Sequence, residues 1–175
     1  MLKKTRIFAV IGIFAISFLC HFLFDWFPNI LSSIFFPVNE SIWEHMKIIF
    51  TSTLLYSIVD KIILDKKNIE YNNFYLQAFV SAFFGIVLYL LIYLPLYSIF
   101  GENMFISIAL LLIVYSIKQY ISYKLMKKED YNIPSYIFII LIIIVYSIFT
   151  YLTYNPIENY IFYDHKKEVY GIKKD

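Results

Sequence analysis

Three stretches of this chain, 7–24, 74–94 and 135–154, run without a single Asp, Glu, Lys or Arg. A helix rising 1.5 Å per residue needs about 20 apolar residues to cross the roughly 30 Å of a bilayer's hydrocarbon. Runs of this kind are too apolar for the half-wet surface of a small soluble domain. The composition agrees: 61% of the 175 residues are apolar and 16% charged, which also excludes a disordered chain. Cys20 is the only cysteine, so a disulfide scaffold is excluded. Fifteen basic and 13 acidic side chains leave a formal charge of +2, too little for a nucleic-acid partner. The expected partner is the lipid bilayer, and the expected fold is all-α: a polytopic membrane protein forming one integral membrane domain over 1–175.

About five transmembrane helices are predicted, at 7–24, 42–64, 74–94, 104–126 and 135–154, with a polar tail over 155–175. Lys3, Lys4 and Arg6 before the first run resemble the start of a secretory leader, but no small-x-small exit follows. The run is therefore read as a retained helix. Pro28 and Pro37 punctuate the next connection, whose apolar middle, 30–36, is too short to span and should lie at the interface or dip back into the bilayer. Pro95 should bend or end the third helix, and Pro134 pre-set the first turn of the fifth. Lys and Arg gather before helix one, after helix two and late in helix four, while the 25–40 connection and the Gly101 turn have none. The positive-inside rule then puts the N-terminus in the cytoplasm and the C-terminus outside, with Lys166, Lys167, Lys173 and Lys174 in the tail counting against it. The membrane expected is the bacterial cytoplasmic (inner) membrane, and the wealth of Ile, Lys, Asn and Tyr would suit an AT-rich bacterial genome.

Most intramembrane polar residues have a plain reading. Tyr89, Tyr93 and Tyr97 share a helical face and read as packing. Lys118 reads as snorkelling to headgroups, and Asp60 with Lys61 as marking an inner helix end. The pattern at the other face asks for more. With five crossings, His21, His45 and His165 fall on one side of the membrane, together with Asp25, Glu40, Glu44 and Asp164. His21 and Asp25 are four apart, so the carboxylate could orient the imidazole as it would for a metal ligand.

The densest polar stretch is Pro37-Val38-Asn39-Glu40-Ser41-Ile42-Trp43-Glu44-His45-Met46-Lys47. Ser41 with Glu44 fits a capping box, Trp43 suits an interface, and Lys47 can offset Glu40 and Glu44. Capping explains neither His45 nor the second carboxylate at Glu40. Charges this near hydrocarbon cost roughly 1–3 kcal/mol each unless paired, solvated or facing a cavity.

This run, with His21-Phe22-Leu23-Phe24-Asp25-Trp26 before it, resembles a family of small bacterial integral membrane proteins of unknown function. The resemblance implies a Val-Asn-Glu-Ser-x-Trp-Glu-His-x-Lys hallmark after an aromatic-rich first helix. It also implies a tail with Phe-x-Asp and a closing Tyr-Gly-Ile, here Phe162-Tyr163-Asp164 and Tyr170-Gly171-Ile172. A Pro commonly follows that tail Asp where this chain has His165, so His165 is left out of the first-choice site. No activity comes with the resemblance.

Two readings follow. In the first the chain is a non-enzymatic membrane protein whose cluster of His21, Asp25, Glu40, Trp43, Glu44, His45, Lys47 and Asp164 binds a partner protein, a second copy of the chain, a lipid headgroup or an ion. In the second it is a membrane-embedded metal-dependent hydrolase of lipid-like substrates, with His21, His45 and Glu44 holding Zn²⁺ and Glu40 as catalytic base. Glu44 and His45 are adjacent and point about 100° apart on a helix, which strains that ligand set. A transporter would want ionisable groups at mid-membrane, which the middles of helices three and five lack. No Gly-x-Ser-x-Gly elbow supports a serine hydrolase.

Overall fold

A computed structural model of the chain describes residues 1–172, so 173–175, with Lys173 and Lys174 of the expected tail, lie outside the described residues. It is helical throughout its body: α1 (Leu2–Trp26), α2 (Ile30–Phe35), α3 (Ile42–Lys66), α4 (Phe74–Phe100), α5 (Met104–Lys127) and α6 (Ser135–Tyr154). A two-stranded antiparallel hairpin, β1 (Tyr163–Asp164) and β2 (Val169–Tyr170), closes the described chain.

Among the described residues, four helices are long and apolar enough to cross a membrane: α1, α4, α5 and α6. The chain thus has the helices of a membrane protein, with four candidate spans where five were expected. The fifth long helix is α3, whose 25 residues include Glu44, Lys47, Asp60, Lys61, Asp65 and Lys66. It is also the most enclosed. α1 and α4 pack along it, α5 packs against both of those, and α6 lies outside against α4, α3 and α2. Ile13, Met46, Ile49, Phe50, Val114 and Tyr115 meet in the resulting core. α6 instead turns Ile139, Ile140, Ile143, Ile144 and Ile148 outward, as a helix facing hydrocarbon should.

Local chemistry explains the joints. Asn29 caps α2 by a reciprocal pair: Ser32 N–H donates to Asn29 Oδ1 at 2.9 Å and Asn29 N–H to Ser32 Oγ at 3.1 Å. Asn103 caps α5 through Ile106 N–H at 3.1 Å, after a turn at Gly101, whose φ of +65° a residue with a Cβ rarely adopts. α4 runs on through Pro95 to Phe100 rather than ending near 94. The carbonyl that Pro95 leaves without an i+4 donor belongs to Leu91, an exposed residue on the outside of the bundle, away from the packed interior.

The far end from the hairpin is locked by polar bonds. Arg6 pairs with Asp60, and also donates to Ser122 Oγ at 3.3 Å; Ser122 donates in turn to Gln77 Oε1 at 2.6 Å. Asp60 therefore joins α1 to α3 inside the protein instead of marking a wet helix end. Lys118 differs from expectation too. Its ammonium does not reach the headgroups; it is fully buried, donates to Thr53 Oγ1, and lies 4.2 Å above the Tyr115 ring. A glycine at position 85 leaves room for its stem.

Candidate functional site

Five chain segments meet at the hairpin end: the last turns of α1 and α4, the first turns of α3 and α5, and the tail. They enclose a cleft of about 450 Å³. His21 comes from α1 and His45 from the first turn of α3, and their rings stand edge to face at 5.4 Å. Glu40, just before the α3 cap, places Oε2 3.8 Å from His21 Nε2 and 3.7 Å from His45 Nε2. The three donor atoms lie within 4.8 Å of one another, and all three side chains are half-buried.

His45 is oriented by its own helix. Its Nδ1 lies 2.8 Å from the Ser41 carbonyl oxygen, which can only accept, so Nδ1 carries the proton. The lone pair of Nε2 then points into the site beside Glu40. That is the arrangement in which a second-sphere carbonyl prepares an imidazole for a metal.

Glu40 is itself held from both sides. Its N–H donates to Asp164 Oδ2 at 2.9 Å, and Asp164 Oδ1 also accepts the amides of Lys166 and Lys167 at 2.8 and 2.9 Å. Burial alone would raise the pKa of the Asp164 carboxyl, but these three backbone donors outweigh it and hold the pKa below the usual carboxylate value. The run from 38 to 43 is bound to the tail at further points. Asn39 Nδ2 donates to the Gly171 carbonyl at 2.8 Å, Trp43 N–H to the Ile161 carbonyl at 2.9 Å, and the Trp43 and Phe162 rings stack at 4.9 Å. The two stretches that carry the sequence resemblance thus dock on each other.

Glu44 and Lys47 turn away from the cleft. Ser41 accepts the Glu44 N–H at 3.3 Å, but only this half of the capping box forms, because Asn39 Oδ1 accepts the Ser41 N–H at 2.9 Å. The freed Glu44 carboxylate accepts from Val38 N–H at 3.1 Å and Thr153 Oγ1 at 2.6 Å, and meets Lys47 Nζ at 2.7 Å. Lys47 donates also to the Ser33 carbonyl at 2.8 Å. Glu44 therefore stands outside the group formed by His21, His45 and Glu40. Asp25 is likewise separate: it faces Lys167 at 3.8 Å, and among the described residues it makes no hydrogen bond to His21.

Several cleft residues were not assigned to the site from sequence. Lys166 bridges Glu40 at 3.5 Å and Glu102 at 2.9 Å; the bond to Glu102 raises the pKa of its ammonium. Tyr89, Tyr93 and Tyr97 form one wall, with centroid separations of 5.0 and 5.8 Å. Their spacing was visible, but a cavity beside them was not. His165 lines the mouth against Tyr163. His21, Glu40 and His45 supply two imidazole nitrogens and a carboxylate oxygen, a donor set suited to zinc-class ions that leaves a coordination position free.

No curated protein and no solved structure matches the chain. The family described as "Family of unknown function (DUF6512)" matches residues 1–172, so a site built from α1, the α3 cap and the tail lies within the matched span. The chain belongs to that family of unknown function.

Proposed function

We propose that this protein binds a divalent transition-metal ion, of which zinc is the type, through His21, Glu40 and His45 at the outer mouth of a membrane-embedded cleft. The observation that carries the reading is His45: its Nδ1–H is spent on the Ser41 carbonyl, and its free Nε2 sits 3.7 Å from Glu40. Ligand atoms around tetrahedral zinc lie closer together than this, with metal–ligand distances of about 2.0–2.2 Å, so binding requires a small inward movement of half-exposed side chains.

In this reading all five long helices cross a bacterial cytoplasmic membrane, with the N-terminus inside and the tail outside. α3 crosses despite its charges because Glu44 is paired with Lys47 and Asp60 with Arg6. The basic residues at the α1 start and α5 end support the orientation.

Elemental analysis of detergent-purified protein tests the reading. About one zinc per chain is expected, lost in His21→Ala/His45→Ala and in Glu40→Gln while the charge-balanced Glu44→Gln/Lys47→Met keeps it. Absence of stoichiometric metal in folded wild type, purified without chelator and then offered zinc, would sink it.

A second reading is favoured by the cleft itself, which adjoins the free coordination position. There a bound ion would supply Lewis acidity, and the protein would be a metal-dependent hydrolase of a lipid-like substrate. Turnover of a lipid ester that stops on chelation would separate this from simple ion binding.

A further inference from the structure

The cleft has two different rims. Phe18 and Phe22 of α1 and Met104 of α5 line it yet are 43%, 44% and 65% exposed, so they stand at an opening between those helices. The exposed side chains on this side are apolar and face the surface that meets hydrocarbon, while Ser17 and Ser107 of the same helices also line the cleft. The other rim carries Glu40, Glu102, His165 and Lys166. One end of the cavity thus suits an alkyl chain and the other a polar headgroup. A cleft of about 450 Å³ lies low in the range of small-molecule sites, roughly 300–1,000 Å³, which favours one chain over two. The Tyr89–Tyr97 wall extends about 12 Å along α4, at 1.5 Å per residue.

Charge decides the headgroup. The cleft's charged side chains are two carboxylates, Glu40 and Glu102, and one ammonium, Lys166, so with neutral imidazoles it favours a cation. A divalent ion between His21, Glu40 and His45 reverses the sign and leaves an open position beside Lys166. We infer that the metal-loaded cleft takes a single-chain amphiphile with a phosphate-type headgroup, which slides in from the bilayer between α1 and α5. The inference rests on the metal reading above.

The test uses the full chain in phosphatidylcholine nanodiscs, titrated with dodecyl phosphate and with dodecyltrimethylammonium, in zinc and in EDTA. Dodecyl phosphate should bind at least about tenfold tighter in zinc, and by linkage should tighten zinc by the same factor. Dodecyltrimethylammonium should prefer the EDTA-treated protein. Filling the cleft with Ile108→Trp, or with the smaller Ile108→Phe should the first not fold, should weaken the alkyl phosphate. Zinc uptake without a zinc-dependent gain for dodecyl phosphate would overturn this inference and leave the metal reading standing. Lack of zinc uptake would overturn both, and full binding in the folded Ile108 variants would overturn the placement of the chain in the cleft.

Discussion

Asp164 accepts the main-chain N–H of Glu40 at 2.9 Å, and so the tail fixes the residue whose carboxylate stands between two imidazoles. The two residues are 124 positions apart in sequence. Glu40 lies in a connection, where a side chain would otherwise sample many positions. The buried carboxylate of Asp164 fixes the main chain from which that side chain departs.

This relationship sets a pH dependence. The Asp164 pKa is depressed in the docked state, so the undocked tail takes up a proton at higher pH than the docked one. Docking is then at full strength above the ordinary carboxylate value of about 3.9 and weakens as pH falls through the lower, docked value. Trp43, stacked on Phe162, reports it. In a Trp26→Phe background, Trp43 emission should stay constant from neutral pH to about 4 and red-shift on further acidification. Asp164→Asn should abolish that transition.

The Glu44–Lys47 pair is fully buried, with Val38 and Thr153 donating to Glu44 and the Ser33 carbonyl accepting from Lys47. Removing one partner leaves an uncompensated charge, so Lys47→Met should cost about 3–5 kcal/mol. The double variant Glu44→Gln/Lys47→Met should recover most of this in thermal or SDS unfolding. A single variant as stable as wild type would contradict the burial of this pair.

Lys118 has a hydroxyl and an aromatic face for company, and no carboxylate within ion-pair distance among the described residues. An amine so placed contributes little to folding, and methionine matches its shape. Lys118→Met should therefore be as stable as wild type or more so. A marked loss of stability would mean that the amine has a further partner.

Helices α1 and α3 approach closely at Gly12, where an added Cβ would overlap the Tyr56 ring. Gly12→Ala should cost about 1–3 kcal/mol by overpacking. The penalty should shrink in a Tyr56→Leu background, because the obstructing ring is gone. Equal penalties in both backgrounds would place the strain elsewhere.

The helical character was legible because long uncharged runs admit few other structures in a bilayer. His21, Glu40, His45 and Asp164 were expected together on a count of five crossings, and the structure gathers them at one end of the bundle. Direction within that end was harder. Glu44 reads as a cap partner of Ser41, yet a competing acceptor, Asn39 Oδ1, takes the Ser41 amide and sends Glu44 to Lys47. Lys118 illustrates the same limit: Ser116, Lys118, Gln119 and Lys124 fall on different sides of α5, so its sequence does not say which side is inward. Thr53 and Gly85, which receive Lys118, come from other helices. The tyrosine wall needed the cavity beside it before its spacing meant anything.

The docking of residues 161–171 onto 38–43 has a consequence for biosynthesis. A ribosome releases α1 and the α3 cap early, and the segment bearing Asp164 and Lys166 only after the last helix. The cluster of His21, Glu40 and His45 therefore stays unlatched until the segment that follows α6 has left the ribosome. A nascent chain stalled after α6 would expose both imidazoles without the latch that positions the Glu40 main chain.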